Sequence, residues 1–414
     1  MNPPPLKIDD VVAPTREKAL ALFEQGQISS ALDMLRVLAN FGSKEAQFSA
    51  ECWNDIGNIC AHAHQFGEAV SAFRRAVRLA PGLAMHWNNL GGMLRQVGEN
   101  QSAEFAFRQA IVRQNQFFAA HQNLAELLDL RGEGLEAARH HCIAYVEGPR
   151  EGKSFEMLGV AYYHLGQKDR AADVYRQWLE VEPENPIAQH RLASCLSEGV
   201  PERMPDDCVE AMFDAFAPSF DAHLAGLNYQ GPQLLTQALS SALNGRDQLT
   251  ILDAGCGTGL CGPLLKTLAA ELVGVDISSV IMEKARARHC YDQLIKSELT
   301  HFLEVAHDAF DVIFACDTFN YFGALFPVFK ATAQALKPEG LIAFTVEDDA
   351  GVASAEGWHL AMHGRYVHDD KAIRNWLEQA GFSVQNTHVV PLRQELGKTV
   401  HARIYVAKRC VKVA

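Results

Sequence analysis

The chain is short of what a disulfide-built or zinc-built protein needs. Its ten cysteines are scattered along 414 residues without a single Cys-x-x-Cys pair, a pattern that fits reduced thiols in the cytosol better than a disulfide framework or a metal site. Cations are also few. There are 37 Lys and Arg against 50 Asp and Glu, for a formal net charge of -13 and a pI of about 5.7. That balance argues against nucleic-acid binding through phosphates, which takes clustered positive charge. No apolar run is long enough to span a bilayer, and none follows Met1-Asn2-Pro3-Pro4-Pro5-Leu6-Lys7. Neither a membrane span nor a secretion signal is predicted, and a cytoplasmic location is expected. What the chain does have is 48% hydrophobic residues, enough to fold throughout, and a length that suggests two or three domains.

One segment stands out. Ile251-Leu252-Asp253-Ala254 is an apolar strand pattern that runs into Gly255-Cys256-Gly257-Thr258-Gly259 and then into a helical pattern. Glycine accepts positive φ and leaves room for a ligand against the main chain, and a following helix offers free N–H groups to an anion. Leu272-Val273-Gly274-Val275-Asp276 reads as the next parallel strand, closing on a carboxylate suited to both hydroxyls of a ribose. A dinucleotide fingerprint would need its third glycine where Leu260 stands. Asp253-x-Gly255-x-Gly257-x-Gly259 with Asp276 instead resembles the cofactor site of class I S-adenosylmethionine-dependent methyltransferases; the bland reading is an ordinary strand-to-helix turn.

The N-terminal half repeats. Ala69, Ala103, Ala137 and Ala171 recur every 34 residues, followed four residues later by Phe73, Phe107, His141 and Tyr175. Trp53, Trp87, His121 and Phe155 keep the same phase, as do the small residues Gly57, Gly91, Ala125 and Gly159. Pro81, Pro149 and Pro183 follow the second helices, which proline cannot continue. This layout resembles the tetratricopeptide repeat, an all-α solenoid of stacked helical hairpins. A degenerate first copy is centred on Gly26 and Ala31, and Ile187 to Leu196 reads as a closing helix, so the array is expected over 12–198. Its aromatics are read as packing residues. Asn54, Asn58, Asn88, Asn89 and Asn123 fall on first helices, where they either face a partner's backbone in a groove or are solvated.

Ser197 to Pro205, with two prolines and a glycine, reads as a linker, and a second domain is expected over 206–414. Strand patterns at 250–253, 272–276, 293–297, 311–316 and 341–346 alternate with helical ones, and 384–390 with 400–407 forms a hairpin. The predicted fold is α/β and Rossmann-like, a mostly parallel sheet with its last strand antiparallel, as in class I methyltransferases. Phe213 to Leu224, Tyr291-Asp292-Gln293-Leu294 and Gly364-Arg365-Tyr366-Val367-His368 together resemble a bacterial family of methyltransferases that carry tetratricopeptide repeats. Phe216 departs from it, standing where many related proteins have a tyrosine near the cofactor's carboxylate.

The resemblance implies S-adenosyl-L-methionine as cofactor, with roles for particular residues. Gly255, Gly257 and Gly259 would line its methionine part and Asp253 its amino group. Asp276 would hold the ribose, with Ile277 on the adenine and Glu298 and Leu299 at the adenine edge, while Cys316 and Asp317 face the reactive end. Glu298 has a bland alternative as a helix-start residue. Methyl transfer to oxygen or nitrogen also needs a proton acceptor, for which Asp317, His223 and His368 are candidates. Their alternatives are loop orientation for Asp317, a lid for His223 and packing before a helix for His368. Asn320, Tyr321, Arg365 and Tyr366 would shape the acceptor pocket. Cys316-Asp317-Thr318-Phe319 lacks the Asn/Asp-Pro-Pro-aromatic signature, which disfavours amide and base acceptors. Repeats beside a methyltransferase suggest a peptide, protein or carrier-bound acceptor recruited by the groove, with a small-molecule acceptor the next reading. The competing functions are a repeat scaffold whose second domain no longer catalyses and a nicotinamide oxidoreductase, the latter opposed by Leu260.

Overall fold

The computed structural model describes residues 8–41, 46–197, 199–348, 354–395 and 397–410. The N-terminal Met1 to Lys7, Glu198 of the predicted linker and the last four residues of the predicted second domain lie outside them. The chain forms two compact units, Met1–Lys153 and Ser154–Ala414, so the last repeat groups with the α/β half and not with its fellow repeats.

The first unit consists of helical hairpins: α1 (Ile8–Glu24) with α2 (Ile28–Phe41), α3 (Ala46–His62) with α4 (Phe66–Leu79), α5 (Ala84–Gln96) with α6 (Asn100–Arg113), and α7 (Phe118–Leu130) with α8 (Gly134–Glu147). The repeat-phase glycines set how closely each pair approaches. A Cβ on Gly57 would lie 2.6 Å from Phe73 Cε1, and one on Gly91 would lie 2.5 Å from Phe107 Cε1. Each phenyl ring therefore occupies the space that a side chain would take on the facing helix, and both rings are fully buried. Where the fourth pair has Ala125, the partner is His141, which turns outward so that its Nε2 meets Asp129 Oδ2 at 2.7 Å. The asparagines bond to one another along the first helices: Asn89 Nδ2 donates to Asn54 Oδ1 at 3.0 Å and Asn123 Nδ2 to Asn88 Oδ1 at 2.9 Å. Asn58 is exposed.

The second unit opens with α9 (Phe155–His164), α10 (Lys168–Val181) and α11 (Pro186–Leu196), then α12 (Asp206–Phe216), α13 (Phe220–Gly226) and α14 (Gly231–Leu243). Asn185 caps α11 by accepting from Ala188 N at 2.9 Å, with Pro186 opening the helix. The predicted linker is not free. Met204 N donates to Tyr321 O at 2.8 Å, Gly323 N and Ala324 N donate to Glu202 O at 2.7 and 2.9 Å, and Tyr366 Oη donates to Pro201 O at 2.8 Å. The segment is a strap bound along the loop that follows the fourth strand.

The strands are β1 (Leu249–Ala254), β2 (Ala269–Asp276), β3 (Gln293–Lys296), β4 (Phe310–Ala315), β5 (Leu336–Glu347), β6 (Trp358–Leu360), β7 (Tyr366–His368), β8 (Phe382–Glu395) and β9 (Lys398–Arg409). Seven of them form one sheet in the order β3-β2-β1-β4-β5-β9-β8, with β6 and β7 as a separate pair. β1 to β5 pair in parallel, and β9 runs antiparallel between β5 and β8. Alternate residues of the inner strands serve two cores. Leu252, Ile313 and Phe344 pack on one face, while Ile251, Val312 and Ala343 pack on the other with Leu235 and Leu239 of α14. The crossovers carry α15 (Gly262–Leu265), α16 (Ser279–Ala287), α17 (Leu299–Val305), α18 (Phe326–Ala335) and α19 (Asp370–Gln379).

Gly91→Ala should force its new methyl into the Phe107 ring and cost about 1–3 kcal/mol. Gly92→Ala, with nothing within 4 Å, should be neutral or gain up to about 1 kcal/mol from helix propensity. Guanidinium unfolding of the two variants side by side separates packing from propensity.

Candidate active site

The parallel strands β1, β2, β3 and β4 end on one edge of the sheet, which is where open α/β sheets hold ligands. There the chain turns sharply. Gly255 N and Cys256 N donate to Val275 O of β2 at 2.8 and 3.0 Å, a crossing that puts Gly255 at φ +75° and Gly257 at φ +53°. A Cβ on Gly255 would lie 2.5 Å from Thr318 Oγ1, so this glycine lets the β4 loop close over the turn. At Gly257 the nearest atom to such a Cβ is Ile281 Cδ1 at 4.0 Å, which leaves its backbone open to a ligand. The helix expected after the glycines is the single turn α15, too short to present much of a dipole.

A cavity of about 660 Å³ runs along this edge. Gly255, Gly257, Asp276, Ile277, Glu298 and Leu299 line one end, and Cys316 and Asp317 continue its wall. Asp276 accepts from Gly257 N at 2.9 Å through Oδ2 and from Ser278 N at 3.0 Å through Oδ1. Burial pushes its carboxyl pKa up, and these backbone donors pull against that. Glu298 caps α17, accepting from Thr300 N at 2.9 Å and His301 N at 2.7 Å, and pairs with Arg203 of the strap at 3.1 Å. Both the structural and the ligand-facing readings of Glu298 thus meet in one side chain.

Three predicted site residues do not line the cavity. Asp253 is 1% exposed because it shares the strand face of Ile251, and its Oδ2 accepts from Tyr291 Oη at 2.6 Å. Gly259, at φ +79°, is pressed against Ala285 and Tyr291. His368 is buried with its Nε2 against Phe322 O and Gly323 O at 2.8 and 3.0 Å. Burial pulls its pKa down to about 4, and it stands just ahead of α19, a packing role. Tyr366, also expected near the acceptor, is fully buried on Pro201.

His223 on α13 does line the cavity, its ring edge-on to Phe216 at 5.0 Å. So does Asp317, held at φ +57° by Thr345 Oγ1, which accepts from Asp317 N at 2.8 Å. Asn320 Nδ2 donates to its Oδ1 at 3.3 Å and Arg393 Nη1 to its Oδ2 at 3.3 Å. Burial raises the Asp317 pKa against the pull of Arg393.

Arg393 belongs to a buried charge cluster that sequence patterns did not reveal. Glu347, closing β5, pairs with Arg393, with Arg365 Nε at 2.6 Å and with His363 Nε2 at 3.2 Å. Burial raises the Glu347 pKa, but Arg365, His363 and Arg393 outweigh it and hold the carboxyl down at about 2. Arg365 also reaches Glu395 at 3.1 Å. A register shift between Pro391 and Arg393 in the edge strand β8 aims Arg393 at the site, as bulges beside active sites do. Arg365 sits on the β6–β7 turn, whose Gly364 O meets His190 Nε2 of α11 at 2.8 Å and whose His363 O accepts from Arg191 Nη1 at 2.5 Å.

A helical cover completes the site. Ser278 Oγ donates to Asp214 Oδ1 at 2.5 Å, Thr258 Oγ1 to Asp221 Oδ1 at 2.6 Å, and Arg288 Nη2 to Asp221 Oδ2 at 2.6 Å. Both aspartates lie in the Phe213 to Leu224 motif. Tyr229, which follows α13, lines the cavity with its Oη 3.2 Å from Cys316 Sγ.

Sheet order and glycine turn are those of the class I S-adenosylmethionine-dependent methyltransferase fold. Residues 227–387 match the family model described as methyltransferase domain, and 50–83 and 154–187 match tetratricopeptide-repeat models. Residues 227–387 are thus a methyltransferase domain, in a chain that also carries tetratricopeptide repeats. It is 25% identical over 178 residues to a malonyl-[acyl-carrier protein] O-methyltransferase of Salmonella typhimurium, covering 41% of this chain and 68% of that protein. It is 38% identical over 84 residues to human methyltransferase-like protein 27, covering 20% of this chain and 34% of that protein. Among solved structures, the [4+2]-cyclase SpnF aligns at 18% identity and a TM-score of 0.42, over 51% of this chain and 99% of that one. The chain spans only about a third of the human relative.

Burial lifts the Asp253 pKa to about 7, with Tyr291 opposing. A folded-state pKa above the unfolded one gives stability that is present at low pH and lost as pH rises towards 7. Asp253→Asn keeps an acceptor for Tyr291 and removes the titration. Its stability relative to the parent should therefore rise between pH 5 and pH 8, by on the order of 2 kcal/mol, in urea unfolding at each pH.

Proposed function

We propose that the unit 154–414 transfers a methyl group from S-adenosyl-L-methionine to an oxygen or nitrogen of its acceptor, with the repeats of the first unit recruiting a peptide, protein or carrier-bound acceptor or partner. The observation that carries this reading is one continuous cavity that joins Gly257, Asp276, Ile277 and Leu299 to Cys316 and Asp317. The residues present suit the cofactor. Asp276 has lone pairs left for ribose hydroxyls after its two backbone bonds. Ile277 and Leu299 offer apolar surface to the adenine, and the open backbone at Gly257 admits the methionine part.

S-adenosyl-L-methionine supplies a methyl group already activated on a sulfonium. The protein's contribution is alignment and proton removal. Asp317 is the better placed base: it lies in the cavity wall, burial makes it more basic, and Thr345, Asn320 and Arg393 fix its position. His223, on the outer helix α13, acts as part of the cover. The Salmonella relative, by name an O-methyltransferase of malonyl-[acyl-carrier protein], supports an oxygen nucleophile and a carrier-bound acceptor.

Calorimetric titration of the full chain with S-adenosylmethionine and S-adenosylhomocysteine, with nicotinamide dinucleotide as control, tests the reading. Micromolar affinity for the first two and none for the third is expected. Asp276→Ala should weaken that binding at least about tenfold, the loss of charged hydrogen bonds, with the circular dichroism spectrum unchanged. An unaltered affinity would take Asp276 out of the ribose role.

A further inference from the structure

The cavity does not stop at the cofactor end. The part we term its second lobe is walled by the last repeat and the segments after it: Met157 and Val160 of α9, Ile187 and Arg191 of the closing helix α11, then Met204 of the strap and Met212 of α12. Both α9 and α11 belong to the same compact unit as the sheet, so this wall is part of the catalytic body. The charge cluster borders the same cavity, since Asp317, Arg365, Arg393 and Glu395 all line it. The lobe's sides are mostly apolar, and the charged residues among them are paired, Arg191 with Glu156 at 3.6 Å and Arg203 with Asp206 and Glu298 at 2.7 and 3.1 Å. Methionine on three different elements gives a surface that adapts to apolar shapes.

The cations of that cluster are already paired. Arg365 and Arg393 face Glu347, Glu395 and Asp317, two cations against three carboxylates, so an arriving anion would find no free cation and two carboxylates in the wall. A hydroxyl or amine hydrogen would find an acceptor in Asp317.

We propose that this second lobe is the acceptor subsite, and that it takes an uncharged amphipathic acceptor: an alkyl body against α9, α11 and α12, with a hydroxyl or amine head at Asp317. The proposal rests on the methyltransferase reading above and adds the substrate class and the residues that select it. Arg191 has a second part here. It holds the β6–β7 turn through His363 O and lies where a Cβ on Gly364 would be 2.7 Å from its Nη1. The last repeat therefore also sets where Arg365 delivers its guanidinium, which makes Arg191 a positioning residue.

The test uses the full chain saturated with S-adenosylhomocysteine and titrates 1-butanol, 1-hexanol, 1-octanol and octanoate by calorimetry. Affinity for the alcohols should rise roughly fourfold per methylene as each is buried, and octanoate should bind at least tenfold more weakly than 1-octanol. Val160→Trp should fill the lobe and abolish the dependence on chain length, leaving S-adenosylhomocysteine affinity within twofold. Met157→Trp, at a half-exposed position, is the second variant should Val160→Trp fail to fold. Octanoate binding as tightly as octanol would overturn the uncharged class, and alcohols that bind weakly at every length, or equally well to both variants, would overturn the subsite. If S-adenosylhomocysteine itself does not bind, the methyltransferase reading falls and takes this one with it, an outcome distinct from cofactor bound and alcohols ignored.

Discussion

A carboxylate taken out of water must be paired or protonated, and the second unit is arranged around meeting that condition at Glu347. The residue closes β5 in the middle of the sheet and is 5% exposed. Its partners come from places far apart in sequence: Arg393 from the bulged edge strand β8, Arg365 and His363 from the β6–β7 turn. Asp317, at the end of β4, joins through Arg393. Removing any one cation would leave charge stranded in a low-dielectric region, so the strands and the turn are fixed relative to one another by electrostatics as well as by packing.

That constraint explains why the last repeat sits where it does. The β6–β7 turn carries Arg365, and its hairpin is only three residues on each side. α11 adds anchorage through His190, Arg191 and Ser194 on the carbonyls of residues 362–364. The strap from Pro201 to Met204 adds backbone bonds to the β4 loop. Helices that follow a repeat pattern by sequence have become structural parts of an α/β site. The cover formed by α12 and α13 is held differently, by partly exposed side-chain bonds at Asp214 and Asp221. Such bonds are individually weak.

The parts of the fold legible in the sequence are those whose signal is local and periodic. Repeats recurring every 34 residues, strands alternating with helices, and a glycine turn after β1 are each set by backbone geometry within a short window, and each is present in the structure. The short β6–β7 pair carries no periodic signal and was missed, although its residues appear in the Gly364 to His368 motif. Among site residues, those at the ends of strands, Asp276, Ile277, Cys316 and Asp317, line the cavity. Asp253 does not, because one residue back from the strand end its side chain points to Tyr291 instead.

By itself, then, the sequence determined the kinds of element, their order, and the class of nucleoside ligand that a Gly-x-Gly-x-Gly turn with a carboxylate at the next strand end accommodates. All of these depend on neighbours in the chain. Only the tertiary structure decided which ionisable groups share one cavity, which are consumed as caps or core partners, and that α9 and α11 wall the second lobe. The reason is physical: a carboxylate's or imidazole's role is set by its burial and by the charges facing it, and those come from segments distant in sequence, brought together only when the sheet, strap and last repeat pack.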